Sequence, residues 1–285
     1  MNTLTATKYF ALAAVACTVF LPLSAHAQTF SDTAANPIYA KGYTGLGITI
    51  TGNESGKNGN DGIDVTNSAG VYDPTVTTPG TPNPAPVLTT LNSIHDNGGF
   101  GMAIQGTQAI LGNSLVNNTG AGIVLDYADD TVISGNVISG TADGYDDAGI
   151  FAEYSDAMTA SGYYGGGDSK LTISFNQISG GAGDGIAFYE TAGGTISFNN
   201  ITGNQGVGIH LSDDTSDYGY NDFVPTTVTH NRALHNTAFD ARDDTSASDY
   251  LTESNGYSFY GDGIATNNVW TKNVFGTTDP VGLSK

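Results

Sequence analysis

Thr172-Ile173-Ser174-Phe175-Asn176-Gln177-Ile178-Ser179-Gly180 and Thr195-Ile196-Ser197-Phe198-Asn199-Asn200-Ile201-Thr202-Gly203 are nearly the same nine residues, 23 positions apart. Val132-Ile133-Ser134-Gly135-Asn136-Val137-Ile138-Ser139-Gly140 is a third copy, and Ala109-Ile110-Leu111-Gly112-Asn113-Ser114-Leu115 is a fourth. Weaker copies on both sides complete a series of key asparagines: Asn53, Asn92, Asn113, Asn136, Asn176, Asn199, Asn231 and Asn273. A glycine follows nine residues later at Gly62, Gly101, Gly122, Gly185, Gly208 and Gly282. Asn136 reaches Gly149 after four extra residues, and Asn231 has Asp240 in the glycine's place.

Apolar residues alternate before each asparagine (Ile173, Phe175), after it (Ile178), and after the glycine (Ile186, Phe188). Alternation marks strands with one buried face, so each unit holds three strands. A unit of 21 to 23 residues cannot enclose a core of its own. Stacked units can, with backbone bonds running between rungs about 4.8 Å apart. The expectation is an all-β coil of about eight rungs, a rod on the order of 40 Å long. Asparagine suits a left-handed corner, and its amide can bond to the next one up the stack. The glycine allows a tight turn into the third strand. A β-propeller is excluded, because its blades take about 40 residues.

The x-I-x-x-N-x-I pattern with its following G-I strand resembles the right-handed parallel β-helix repeats of pectate lyase-like proteins. It is also similar to the carbohydrate-binding and sugar-hydrolase domains shared by NosD-type periplasmic proteins and mannuronan epimerases. The resemblance covers residues 44–285 and implies the fold, a single-stranded solenoid. It leaves the activity open, since this scaffold carries lyases, hydrolases, epimerases and non-catalytic binders.

The chain opens as an exported protein does. Lys8 and the terminal amine precede an apolar run from Tyr9 to Leu23, and Ala25-His26-Ala27 is an A-x-A cleavage site. Residues 1–27 read as a signal peptide, 28–43 as a lead-in or cap, and 44–285 as the coil. The run is shorter than the roughly 20 residues that span a bilayer. The mature part has no integral membrane segment, and secreted or periplasmic localisation follows. Cleavage removes Cys17, the only cysteine, and with it any disulfide. Acidic residues number 28 against 8 basic ones, which argues against nucleic acid as a partner. It also makes a polyanionic sugar harder to accept unless a cation such as Ca²⁺ bridges it.

Four rungs carry insertions after the glycine-initiated strand, at about 66–87, 154–168, 213–224 and 243–262. Insertions at equivalent points of a solenoid stack along one edge. The last three are rich in Asp and Tyr. Tyr154, Tyr163, Tyr164, Tyr218 and Tyr220, together with Tyr189 on the strand, are candidates for stacking on sugar rings. Asp213, Asp214, Asp217 and Asp222 are candidate Ca²⁺ ligands by their oxygen chemistry.

The outward positions of the glycine-initiated strands are expected to expose Asp64, Gln105, Asp126, Glu153, Tyr189, His210, Arg242 and Asp244. The resemblance implies polysaccharide binding on that sheet. Asp126, Glu153, His210, Asp214 and Arg242 are the candidate catalytic residues, with Asp126 and Glu153 on adjacent rungs. The D-P-H-E signature of mannuronan epimerases is missing. Asp213-Asp214 resembles the polygalacturonase pair, but that family's N-T-D and R-I-K elements are absent. Three readings stay open. The first is a polysaccharide binder along an acidic, Tyr-rich edge. The second is a lyase, epimerase or hydrolase, and the third a structural or adhesive envelope protein. His230 and His235 read as surface turn residues, and Trp270 as packing on the last rung. End-to-end association through exposed strand edges is a further expectation.

Overall fold

The computed structural model describes residues 29–31, 38–41, 49–66, 87–105, 108–126, 128, 131–141, 148–153, 171–189, 194–212, 226–244, 250–252, 258–260 and 268–283. The segment read as a signal peptide lies outside them. Three parallel sheets run the length of the coil, with eight strands in the first, nine in the second and nine in the third. First-sheet strands precede each key asparagine, second-sheet strands follow it, and third-sheet strands follow the glycine. Thr29–Ser31 and Ile38–Lys41 extend the second and third sheets at the N-terminal end, in what the sequence marked as a lead-in.

Register is kept from rung to rung. Ile110, Ile133, Ile173, Ile196, Val228 and Trp270 align in the first sheet. Leu115, Ile138, Ile178, Ile201 and Ala233 align in the second. Ile123, Ile150, Ile186, Ile209 and Ala241 do so in the third. These side chains form one buried core. Each fully buried isoleucine contributes roughly 1.5–3 kcal/mol. Trp270 closes the column at 9% exposure, and its Nε1 donates to Asp243 at 2.8 Å.

The asparagines stand in file. Each donates from its backbone N and from Nδ2 to Oδ1 of the asparagine on the next rung, from Asn53 through to Asn273. The left-handed residue is not the asparagine, however. It is the residue before it: Gly52, Leu91, Gly112, Gly135, Phe175, Phe198, His230 and Lys272 all have positive φ. That placement turns Phe175 outward, 60% exposed, against the inward expectation.

A second amide ladder stands five residues further on. Asn58, Asn97 and Asn118 are linked in series, as are Asn204, Asn236 and Asp240. Thr141 and Gly181 interrupt it, and the buried Thr141 Oγ1 has no partner.

The glycine column is required by space. A Cβ on Gly149 would lie 2.4 Å from Ile178 Cγ2 and 2.7 Å from Gly185 O. Gly122, Gly185 and Gly208 meet comparable obstacles. The last rung departs from the expected spacing. Its third strand is Thr278–Asp279, paired with Ala241 and Arg242, so Gly282 lies beyond it.

Candidate functional site

The third sheet carries the polar side chains singled out above. Its segments feed the corner where the four insertions leave the coil, between Ile63–Thr66 and Val87–Thr90 and at the equivalent points of later rungs. Within the last insertion, Tyr250–Thr252 and Ser258–Tyr260 pair as an antiparallel ribbon. Tyr154, Tyr163, Tyr164, Tyr218, Tyr220, Asp213, Asp214, Asp217 and Asp222 lie outside the described residues.

Two groups of side chains form on this sheet. In the first, Asp126 and Glu153 are register partners on adjacent strands, and Glu153 pairs onward with Tyr189. Gln105 Nε2 donates to Asp126 Oδ2 at 2.7 Å from the rung below. Phe151 and Tyr189 stack with centroids 6.3 Å apart. Partial burial pushes the Asp126 carboxyl above its ordinary range, and the Gln105 hydrogen bond only partly offsets this. Burial also raises Glu153, and the neighbouring Asp126 charge adds to it. Two carboxyls one rung apart with raised affinities for protons are suited to sharing a proton or facing a cation.

The second group is a buried clamp. His210 Nδ1 bonds Asp184 Oδ2 at 2.9 Å, and Nε2 bonds Asp244 Oδ2 at 3.0 Å. Arg242 Nε pairs with Asp244 at 2.8 Å and approaches Asp279 at 3.8 Å. Desolvation opposes the charge on His210. The carboxylates on both ring nitrogens outweigh it and push its pKa up to about 10. His210 is therefore an imidazolium at neutral pH, with no lone pair to offer.

The expectation that Asp64 and His210 are exposed is corrected, since they are 8% and 5% exposed. His210 is buried by its own clamp. Asp184, which holds His210, is not among the candidate site residues read from the sequence. It sits 26 residues earlier, at the turn before its strand, and no spacing rule pointed to it. The second ladder could have been found, because Asn recurs five residues after Asn53, Asn92, Asn113, Asn199 and Asn231. Among the described residues, no group of three or more His, Asp or Glu side chains is placed to hold a metal ion. Among them, too, no helix is long and apolar enough to cross a membrane.

Comparison with known proteins agrees with this architecture. The chain is similar in structure to the periplasmic alginate epimerase AlgG, with a TM-score of 0.52 and 14% identity. The match covers 74% of this chain and 44% of the epimerase, so this chain spans less than half of that protein. The Dettilon tailspike protein aligns with a TM-score of 0.39 and 14% identity, over 76% of this chain and 43% of the tailspike. No curated protein matches by sequence. The family described as the right handed beta helix region matches residues 24–161 and 153–282. The chain belongs to the right-handed β-helix family.

Proposed function

We propose that this chain is an exported β-helix protein that binds a polysaccharide across the third sheet, next to the edge from which the insertions rise. One observation carries the reading: Gln105, Asp126, Glu153 and Tyr189 form a continuous outward column on four successive rungs. A column of amide, carboxyl and phenol groups supplies hydrogen bonds to sugar hydroxyls, and the Phe151–Tyr189 pair supplies an aromatic surface. The tyrosines of the 154–168 and 213–224 insertions are proposed to complete the wall, with Asp213, Asp214, Asp217 and Asp222 as Ca²⁺ ligands for an acidic glycan. Retention on immobilised neutral glucan, pectin or alginate, with and without Ca²⁺, tests this. Tyr189→Ala and Glu153→Gln are expected to weaken retention at least tenfold. Full retention by both variants would refute the site.

A second reading is favoured by the carboxyl pair. Asp126 and Glu153 project from backbones one rung, about 4.8 Å, apart, and glycosidases use a pair of carboxyls flanking one bond. In that reading the carboxyl with the higher pKa is the acid and its neighbour the nucleophile. Release of reducing ends, abolished by Asp126→Asn, would establish it.

A further inference from the structure

The charge of this chain is divided between its sides. Residues 131–141, 171–182, 194–207, 226–239 and 268–277 build the first and second sheets of five rungs and the corners that follow each. They contain no Asp or Glu. The same segments hold Arg232, Lys272, His230 and His235, in a chain with 28 acidic residues and 8 basic ones. The described acids of these rungs, such as Glu153, Asp184 and Asp244, lie on the third sheet or at the turns that bound it.

An aromatic ridge runs along the acid-free corner. The Phe175 and Phe198 rings stack 5.0 Å apart and within 3° of parallel. His230 continues the stack 4.7 Å from Phe198. Lys272 takes the same corner position on the next rung. Arg232 is exposed on the adjoining second sheet, where its Nη1 donates to Asn200. Neither Arg232 nor Lys272 has a carboxylate partner among the described residues.

The corner geometry sets where these rings point. Phe175 and Phe198 have φ of 57° and 56°, where Gly52, Gly112 and Gly135 make the same turn on other rungs. A bulky residue in this region is an outlier; here the asparagine ladder imposes the turn at the same position on every rung. The strain places both rings in solvent, 60% and 48% exposed, rather than in the core. Beyond Phe175 the stack stops at Gly135, whose missing Cβ would have only Gly112 N near it, at 4.0 Å. Val132 and Val137 flank that gap, 36% and 43% exposed.

We propose that this ridge is a second glycan-binding surface, for a polymer whose sugar rings carry carboxylate or sulfate groups. One ring packs on the open face of Phe175 above Gly135, where it extends the stack by one step. The anionic groups of following residues reach Arg232 three rung spacings along and Lys272 four, about 14 Å and about 19 Å from the stacked ring. Without a bridging cation the carboxylates of the third sheet repel such a polymer, and this side does not. The two surfaces are independent, and failure of either leaves the other standing.

The test is elution of the full chain from heparin-agarose in a salt gradient, with circular dichroism as the check on folding. The wild type is expected to be retained at low salt. Arg232→Gln with Lys272→Gln is expected to abolish retention, and Phe175→Ser with Phe198→Ser to move elution to clearly lower salt. Inorganic polyphosphate, an anion without rings, is expected to displace the protein at least tenfold less effectively per charge than soluble heparin. Wild type in the flow-through, unchanged elution of the Arg232/Lys272 variant, or equal displacement by polyphosphate would overturn the proposal. If the Phe variant does not fold, the exposed Arg232/Lys272 pair and the competition decide.

Discussion

Asn176→Ala is expected to cost about 3–5 kcal/mol, far more than an ordinary side-chain truncation. The Asn176 amide makes four bonds. Oδ1 accepts from Asn136 N at 2.9 Å and Nδ2 at 3.0 Å, while its own Nδ2 donates to Asn199 Oδ1 at 3.0 Å and Ile133 O at 3.1 Å. It is 1% exposed, so water cannot take over. A net value of about 0.5–1.5 kcal/mol per bond gives about 2–6 kcal/mol for four. The backbone N of Asn136 is left buried without its acceptor, which holds the figure above the low end. Asn53→Ala is the internal control. At the start of the file, its side chain donates one described bond, to Asn92 at 3.0 Å, and about 1 kcal/mol is expected. Urea denaturation followed by circular dichroism measures both. A lower m-value for Asn176→Ala would mark unfolding of part of the stack, as nearest-neighbour coupling in a solenoid allows. Equal costs at the two positions, or a loss below about 1 kcal/mol at Asn176, would refute the ladder's role in stability.

Further outcomes follow from the same geometry. Gly149→Ala drives a Cβ to 2.4 Å from Ile178 Cγ2 and is expected to destabilise by about 1–3 kcal/mol in urea titrations. Thr141→Asn with Gly181→Asn closes the gap in the second ladder and should add about 1–2 kcal/mol, whereas Gly181→Asn alone meets Thr141 Oγ1. Burial raises the Glu153 pKa on folding, so the stability tied to its protonated form is lost as pH rises through the folded value. Glu153→Gln should therefore raise Tm at pH 7 and leave it unchanged at pH 3. The clamp on His210 acts in the opposite range. Its folded value of about 10 lies above the ordinary 6.5, so its stabilisation is complete below pH 6.5 and lost as pH climbs through 10. The Tm difference between wild type and His210→Gln should shrink between pH 8 and pH 11.

Much of the fold was legible because it is written in spacing. The intervals between Asn113, Asn136, Asn176, Asn199 and Asn231 mark the rungs, and alternation around Ile173 and Ile178 marks the inward face. Corner conformation was not legible, because local preference favours Asn over a preceding Leu, Phe, His or Lys as the left-handed residue. The ladder decides between them, since each asparagine must aim its amide at the next rung, and the turn falls on Phe175 and Phe198 instead. The outward face was only half legible. Alternation places His210 outward, but its burial comes from Asp184 and Asp244, on the rungs below and above. Contacts between rungs have no signature in a one-dimensional pattern unless they repeat, and this clamp occurs once.

Rung spacing also limits the chemistry the third sheet can perform. Side chains advance along it in steps of about 4.8 Å, so only groups on the same or neighbouring rungs can act on one bond. Asp126 and Glu153 meet that condition. Phe151, on the Glu153 strand, and His210 are separated by the Ala187 rung, and Arg242 lies one rung further. His210 also holds a proton on each nitrogen between Asp184 and Asp244. To abstract a proton it would have to give one up and break a buried ion pair, a cost that grows with its raised affinity. The geometry thus divides the five candidates: a carboxyl pair on adjacent rungs, a His210–Arg242 clamp that fixes the neighbouring strands, and Asp214 outside the described residues.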